Sequence, residues 1–272
     1  MIETASALEE SWIEQALASL LEDGVFVLTD VLSENVCSRL LEASIEAQRL
    51  VVTEIGRNRL EEAGEIGVVR MPIKQSDHFL VLVDNEPVNA LVDRFISPSA
   101  ICHLMNAILL PARMSNDTLT FQSRFHRDFP RFTGGMPLSL NSFYCLTEFR
   151  PANGSTKFLM RSHQGTDLLA DTSQSDVQQV AAPIGSAVLF DSTIWHAGGI
   201  NTSDEIRVGV NVQWTHHWIK QQIDVVRYLG FTQEASLSDR LMQRLGYNSQ
   251  VVTSLQEYYV PSSARIYRAG QG

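Results

Sequence analysis

His126 and Asp128 stand one residue apart in the stretch FQSRFHRDFPRF. An imidazole and a carboxylate together suit a divalent transition metal. At the end of a strand, the two-residue period turns both side chains to one side and sends Arg127 to the other. A catalytic metal site needs a third ligand, and the candidate is His196 in LFDSTIWHAGGINTSDEIRVGV. Two histidines and one carboxylate make the facial triad of non-heme Fe(II) oxygenases, which leaves positions open for a co-substrate and O2. Zn(II) accepts the same ligand set with an open position, so a zinc hydrolase is the alternative.

Arg207 follows His196 by eleven residues and opens a strand. It shares a face with Gly209, Asn211 and Gln213, while Val208, Val210, Val212 and Trp214 share the other. An arginine on a polar strand face suits a carboxylate, because its planar fork binds two oxygens at once. A 2-oxoacid held on iron through its keto and C1 carboxylate groups needs such an anchor for its far carboxylate. The zinc alternative gives Arg207 no role. Taken singly, each residue has a plainer reading. HxD is common by chance, a lone histidine is more often structural, and a strand-initial arginine is more often a surface charge. The ordered set, on strands and after glycine turns, is what points to a site. The other histidines lack such company. His216 and His217 follow the last strand as surface or helix-start residues, His78 and His103 lie in or near helical segments, and His163 reads as a structural loop residue.

The elements that must position these residues are partly visible. Ile13, Leu17, Leu20 and Leu21 lie on one helical face, and Gly24 suits a left-handed cap. VFVLTDVL reads as a strand. Ser33 is an N-cap for a second helix that buries Cys37, Leu40, Leu41 and Ile45. Residues 86–110 read as largely helical, with a break near Pro98. From about residue 113 the texture turns to strand, and RMSNDTLTFQSRFHRD alternates, with Gln122, Arg124 and His126 on its polar face. Further strands are expected in 137–149, 155–160, 186–195 and 206–214, separated by Gly- and Asn-bearing turns. Helices are expected at roughly 217–229 and 234–245. No repeat or linker divides the chain, so a single domain over 1–272 is expected, mainly β with flanking helices.

The bulk numbers narrow the class. The formal net charge of −10 argues against a nucleic-acid partner. Three scattered cysteines, Cys37, Cys102 and Cys145, fit neither a disulfide framework nor a CxxC zinc site, and a reducing compartment is the simpler setting. MIETASALEE is acidic where a signal peptide is basic and then apolar. No stretch approaches the roughly 18 apolar residues of a membrane span. A cytoplasmic protein with no membrane partner is expected.

The chain resembles the phytanoyl-CoA dioxygenase-like group of Fe(II)/2-oxoglutarate-dependent oxygenases. The resemblance lies in LLEDGVFVLTDVLSENV, HRD at 126–128, NGSTKFLMRSHQG at 153–165, GSAVLFDSTIWHAGGINTSDEIR at 185–207 and the late LGY at 245–247. It implies a double-stranded β-helix, a jelly roll whose mouth holds iron. It makes His126, Asp128 and His196 the iron ligands and sets Arg207 on the C5 carboxylate of 2-oxoglutarate. Phe143 falls where the group often has an aromatic residue beside the co-substrate. Gln122, Asn141 and Thr156 are further candidates, by polarity and position, for contact with the co-substrate or with the metal ligands from behind. Two positions depart from the pattern: MRSH (Met160 to His163) replaces PGSH or PGTH, and Gly198 stands where relatives often have Ser or Thr. Neither touches the triad.

The implied reaction is hydroxylation of a C–H bond in a small metabolite or natural-product intermediate, with O2 consumed and succinate and CO2 released. Desaturation, epimerisation and ring formation use the same iron centre. Asp128 argues against halogenation, since halogenases of the superfamily carry Gly or Ala there. Arg124 and Arg131 are candidates for an anionic group of the substrate, against the plainer reading of surface charge. The rival from another class is a non-catalytic jelly roll that binds metal and 2-oxoglutarate as a sensor.

Overall fold

The protein is described as a computed structural model covering residues 1–114, 121–129, 134–165, 176–230 and 237–265. Its strands are β1 (Thr4–Ser6), β2 (Val25–Thr29), β3 (Val68–Arg70), β4 (Ile101–Leu110), β5 (Ser139–Cys145), β6 (Lys157–Leu159), β7 (Val177–Gln179), β8 (Ala187–Asp191), β9 (His196–Ala197) and β10 (Arg207–Thr215). Seven of them form one sheet in the order β1-β2-β8-β5-β10-β4-β3, and three form a second in the order β7-β6-β9. All pairings are antiparallel except β1 with β2. The two sheets make the jelly roll, and His126 joins the smaller one through a bridge to His196.

Alternation along the strands gives the larger sheet two different faces. Phe26, Leu28, Leu140, Tyr144, Leu189, Val208, Val210, Val212 and Trp214 pack on one side in a core shared with the helices. The helices that cover this side include α1 (Trp12–Glu22), α2 (Glu34–Ile55) and α3 (Glu86–Phe95), which contribute Trp12, Leu20, Leu40, Ala47, Leu91 and Phe95. The other side of the same strands turns Val25, Val27, Phe143, Cys145, Val188 and Phe190 toward Phe158 and Ile194 of the smaller sheet and its neighbouring loop. Toward the β10–β4 edge, this inner side opens into the cavity that carries the chemistry.

Several local expectations hold. Ser33 caps α2 by accepting from Val36 N, and Gly24 leaves α1 at φ +86. Gly24 cannot be replaced freely, since a Cβ there would stand 2.6 Å from His163 Nδ1. The loop around His163 is pinned to the end of α1. His163 Nε2 donates to Leu21 O, and Arg161 Nε meets Asp23 Oδ1 at 3.0 Å. Arg161, inside the divergent MRSH, takes φ +63, a left-handed conformation that suits glycine better. His163 is therefore a structural loop residue.

Other expectations are overturned. Residues 101–110 form β4, a strand, although they read as helix. It is buried on both faces, so the apolar–polar alternation that marks a strand is missing. Residues 217–224 are not helical; among the described residues of the two expected helices, α4 (Val225–Leu229) and α5 (Asp239–Leu245) form. Ile45 is 48% exposed, and Ser44 and Ala47 take the buried face of α2 instead. Where a strand was expected over 113–128, Phe121–Ser123 form a short 3-10 turn, Arg124 is a bend and His126 makes a single bridge. Residues 115–120 of that stretch lie outside the described residues. Cys37, Cys102 and Cys145 are free and buried, as the odd cysteine count implied.

Candidate active site

The two ligand-bearing segments are held side by side by backbone hydrogen bonds. His126 N donates to His196 O at 2.9 Å, and His196 N donates to His126 O at 3.0 Å. Phe129 N donates to Ser192 O, which fixes the chain just beyond Asp128. The donor atoms of His126, Asp128 and His196 then lie within 4.8 Å of one another. Asp128 Oδ1 stands 3.6 Å from His126 Nε2, and Asp128 Oδ2 stands 3.6 Å from His196 Nε2.

The tautomers follow from the partners. His126 Nδ1 lies 2.8 Å from Arg124 O, and His196 Nδ1 lies 3.0 Å from Ile194 O. A carbonyl oxygen only accepts, so both Nδ1 atoms carry a proton, and Nε2, on the Asp128 side, is the atom each ring offers to a metal. Such an Nδ1–H bond to a carbonyl is what orients a metal-binding histidine. His196 is buried among Phe158, Phe190 and His126. Burial pushes its pKa below 6.5, with Asp128 pulling the other way. Its imidazole is thereby kept neutral, the form that ligates a metal.

Asn141 on β5 donates through Nδ2 to Asp128 Oδ2 at 3.1 Å and to Ser192 Oγ at 2.8 Å. Asn211 Nδ2 in turn donates to Asn141 Oδ1 at 2.7 Å. Of the two places open to Asn141, beside the co-substrate or behind a metal ligand, its amide takes a contact with the carboxylate of Asp128. Because Asn141 must donate to that carboxylate, its own oxygen must accept from Asn211.

Arg207 starts β10 and is 2% exposed. Its guanidinium lies over Phe149 at 4.6 Å and Phe143 at 5.6 Å. Burial lowers its pKa to about 10, which still leaves it cationic at neutral pH. Among the described residues, neither its Nε nor its Nη1 has a hydrogen-bond partner. A buried cation with donors to spare fits an anionic ligand. Gly209 leaves room for the two rings, since a Cβ there would meet Phe143 Cε2 at 2.6 Å and Phe149 Cζ at 2.7 Å.

A cavity of about 230 Å³ joins these parts, with His126, Asp128, His196 and Arg207 all in its wall. Gln122, Phe143 and Thr156 line it too. Arg124 is exposed and outside that wall, since no strand alternation survives around it to aim it inward. Arg131 lies outside the described residues. Arg127 was expected to face away, yet it borders the cavity, stacks on Trp195 at 4.9 Å and donates to Ser162 O. Asn106, Phe149 and Gly209 escaped the reading of residue types. Asn106 was hidden by the helical reading of β4. Gly209 carried a signal, as the small residue on the polar face two places after Arg207.

The family model for phytanoyl-CoA dioxygenase (PhyH) matches residues 20–209. Uncharacterised proteins of Mycobacterium tuberculosis and Mycobacterium bovis are 39% identical over 251 residues, 92% of this chain and 92% of theirs. A dioxygenase of Aspergillus terreus is 24% identical over 213 residues, 73% of this chain and 72% of its own. Among solved structures, the non-heme monooxygenase ThoJ superposes with a TM-score of 0.62 at 16% identity, covering 75% of this chain and 78% of ThoJ. SnoN, an alpha-ketoglutarate-dependent epimerase from nogalamycin biosynthesis, gives 0.57 at 16% identity, covering 76% and 82%. These structural likenesses show the fold, and the matched sequence places the chain in the phytanoyl-CoA dioxygenase family.

Proposed function

We propose that the protein is an Fe(II)- and 2-oxoglutarate-dependent oxygenase that hydroxylates a C–H bond of a small molecule. The observation that carries this reading is one cavity wall with two different ends. Three metal donors converge at one end, and a buried arginine with unpartnered donors stands at the other. A zinc hydrolase would use the first and have no use for the second.

The ligand set fits a divalent iron: two imidazoles that would bind through Nε2, and a carboxylate. When bound, iron with 2-oxoglutarate supplies the oxidative chemistry that consumes O2, releases succinate and CO2 and oxidises the substrate. The chain's own residues do the rest. Arg207 holds the far carboxylate of the co-substrate through its fork, in a pocket walled by Phe143 and Phe149. Those rings exclude water and strengthen the ion pair. Asn141 keeps the Asp128 carboxylate turned toward the two Nε2 atoms. Thr156 and Gln122 border the space between the metal ligands and the co-substrate arginine.

The fungal dioxygenase among the relatives and the biosynthetic epimerase among the structures support a small-molecule substrate. Desaturation, epimerisation and ring closure would use the same residues. The test is succinate formation during aerobic incubation with Fe(II), 2-oxoglutarate and a panel of small metabolites. Wild type should release succinate, and Asp128→Ala should not. Retained 2-oxoglutarate binding without succinate for any panel member would favour a non-catalytic sensor.

A further inference from the structure

Asn106 and Asn211 face each other as paired residues of β4 and β10. The same transverse row continues to Arg70 on β3 and to Phe143 on β5. All four line the cavity. Asn106 is 6% exposed and Asn211 is 9% exposed. Among the described residues, neither side-chain oxygen has a hydrogen-bond partner. Buried polar atoms are almost always paired, so two neighbouring exceptions in one cavity wall ask for a ligand.

The orientation of Asn211 is not arbitrary. Asp128 accepts, Asn141 must donate to it, and Asn211 must therefore donate to Asn141. The nitrogen of Asn211 is committed to that relay, so its carbonyl oxygen is the atom left for the cavity. Asn106 brings a second amide beside it, with no hydrogen bond that fixes which of its ends faces the cavity. The Asn211 oxygen is the committed acceptor. The co-substrate offers two carboxylates and a keto oxygen, which are acceptors as well, so it is not what that oxygen fits. Arg207 supplies donors for it at the start of β10.

We propose that Asn106 and Asn211 form the substrate-recognition subsite and take a hydroxyl or amino group on a small, otherwise apolar molecule. This rests on the oxygenase reading above, with the co-substrate at Arg207. Val68, Leu104 and Ile108 give the neighbouring wall apolar surface, and Gln213, also in that wall, has its Nε2 committed to Ser139 Oγ. Arg70, at the end of the row, is engaged by Glu65 through two hydrogen bonds, at 3.1 and 2.5 Å. That ion pair is no open anion site, which disfavours a substrate carrying its phosphate or carboxylate there. Sequence reasoning had looked for an anionic group at Arg124, and the structure turns the recognition chemistry from donors to acceptors.

The test uses the full chain with Zn(II) as a redox-inert metal, with and without 2-oxoglutarate. Binding of hexanol, hexylamine, hexyl methyl ether and hexanoate is measured by ligand-observed NMR. The alcohol and the amine should bind at least about tenfold more tightly than the ether and the carboxylate. Asn106→Leu should erase that preference. Asn106→Asp, which keeps the acceptors and adds charge, should shift it toward hexylamine over hexanol. Equal binding of all four probes, binding of none, or a preference unchanged in both variants overturns the subsite. Failure of 2-oxoglutarate itself to bind counts against the oxygenase reading, and the probe preferences without it still decide the subsite.

Discussion

Asn141 Nδ2 lies 3.1 Å from Asp128 Oδ2, reaching from the middle of one sheet to the carboxylate that completes the metal donors. The same nitrogen donates to Ser192 Oγ, at the end of β8, so one amide ties the carboxylate to two strands. Partners of this kind orient metal ligands and set their affinity. Asn141→Ala is expected to weaken Fe(II) binding by about 10–100-fold. Equilibrium metal titration measures it, and wild-type affinity in a folded variant would contradict the role.

Arg207 holds a charge in a buried place against two rings, and among the described residues its Nε and Nη1 have no hydrogen-bond partner, which costs stability and favours an anion. Arg207→Met should weaken 2-oxoglutarate binding by about 30-fold or more, the equivalent of about 2 kcal/mol. The same variant should raise the Tm of the ligand-free protein, by about 2 °C or more, because an uncompensated buried cation is removed. A structural arginine would show the opposite sign in the melting experiment.

Gly209 sets the distance between the two rings that flank Arg207. Gly209→Ala places a methyl against Phe143 and Phe149, at contacts below 3 Å without rearrangement. Overpacking of this kind costs about 1–3 kcal/mol. Denaturant unfolding should show that loss, and 2-oxoglutarate affinity should fall with it as the rings shift. Unchanged stability and affinity would mean that the rings have room to yield.

Burial holds the imidazole of His103 below its usual 6.5, and the attraction of Asp128 offsets only part of this. A depressed folded pKa means that the unfolded chain takes up the proton first as pH falls. The stability contribution is therefore present above about pH 6.5 and is lost as pH falls below that value, toward the folded pKa. The Tm of the metal-free protein should decline across that window, and His103→Gln should flatten the decline. The same slope in the variant would assign the effect to other groups.

The triad was legible because its residue types and order are rare in combination, and strand periodicity alone put Arg207 and Asn211 on one face. What failed has a common cause. β4 is buried on both sides, so ICHLMNAILL carries no alternation and reads as helix. That error hid Asn106, whose role exists only through its pairing with Asn211. The opposite error befell 121–126, where alternating residue types suggested a strand and a 3-10 turn intervenes. Arg124 and Arg127 were assigned inside and outside by that alternation, and the turn exchanges them. Asn141 was correctly placed near the chemistry, but whether its amide meets the co-substrate or Asp128 depends on contacts between distant segments.

The membrane question has a narrower answer: among the described residues, no helix is long and apolar enough to cross a bilayer. The larger question is whether the cavity holds iron and 2-oxoglutarate together. An anaerobic titration answers it most directly: Fe(II) is added first, then 2-oxoglutarate, and the visible metal-to-ligand charge-transfer band is followed. The account predicts a band in the wild type that weakens sharply in Asp128→Ala and in Arg207→Ala. A folded, Fe(II)-loaded protein that shows no band at saturating 2-oxoglutarate would contradict it.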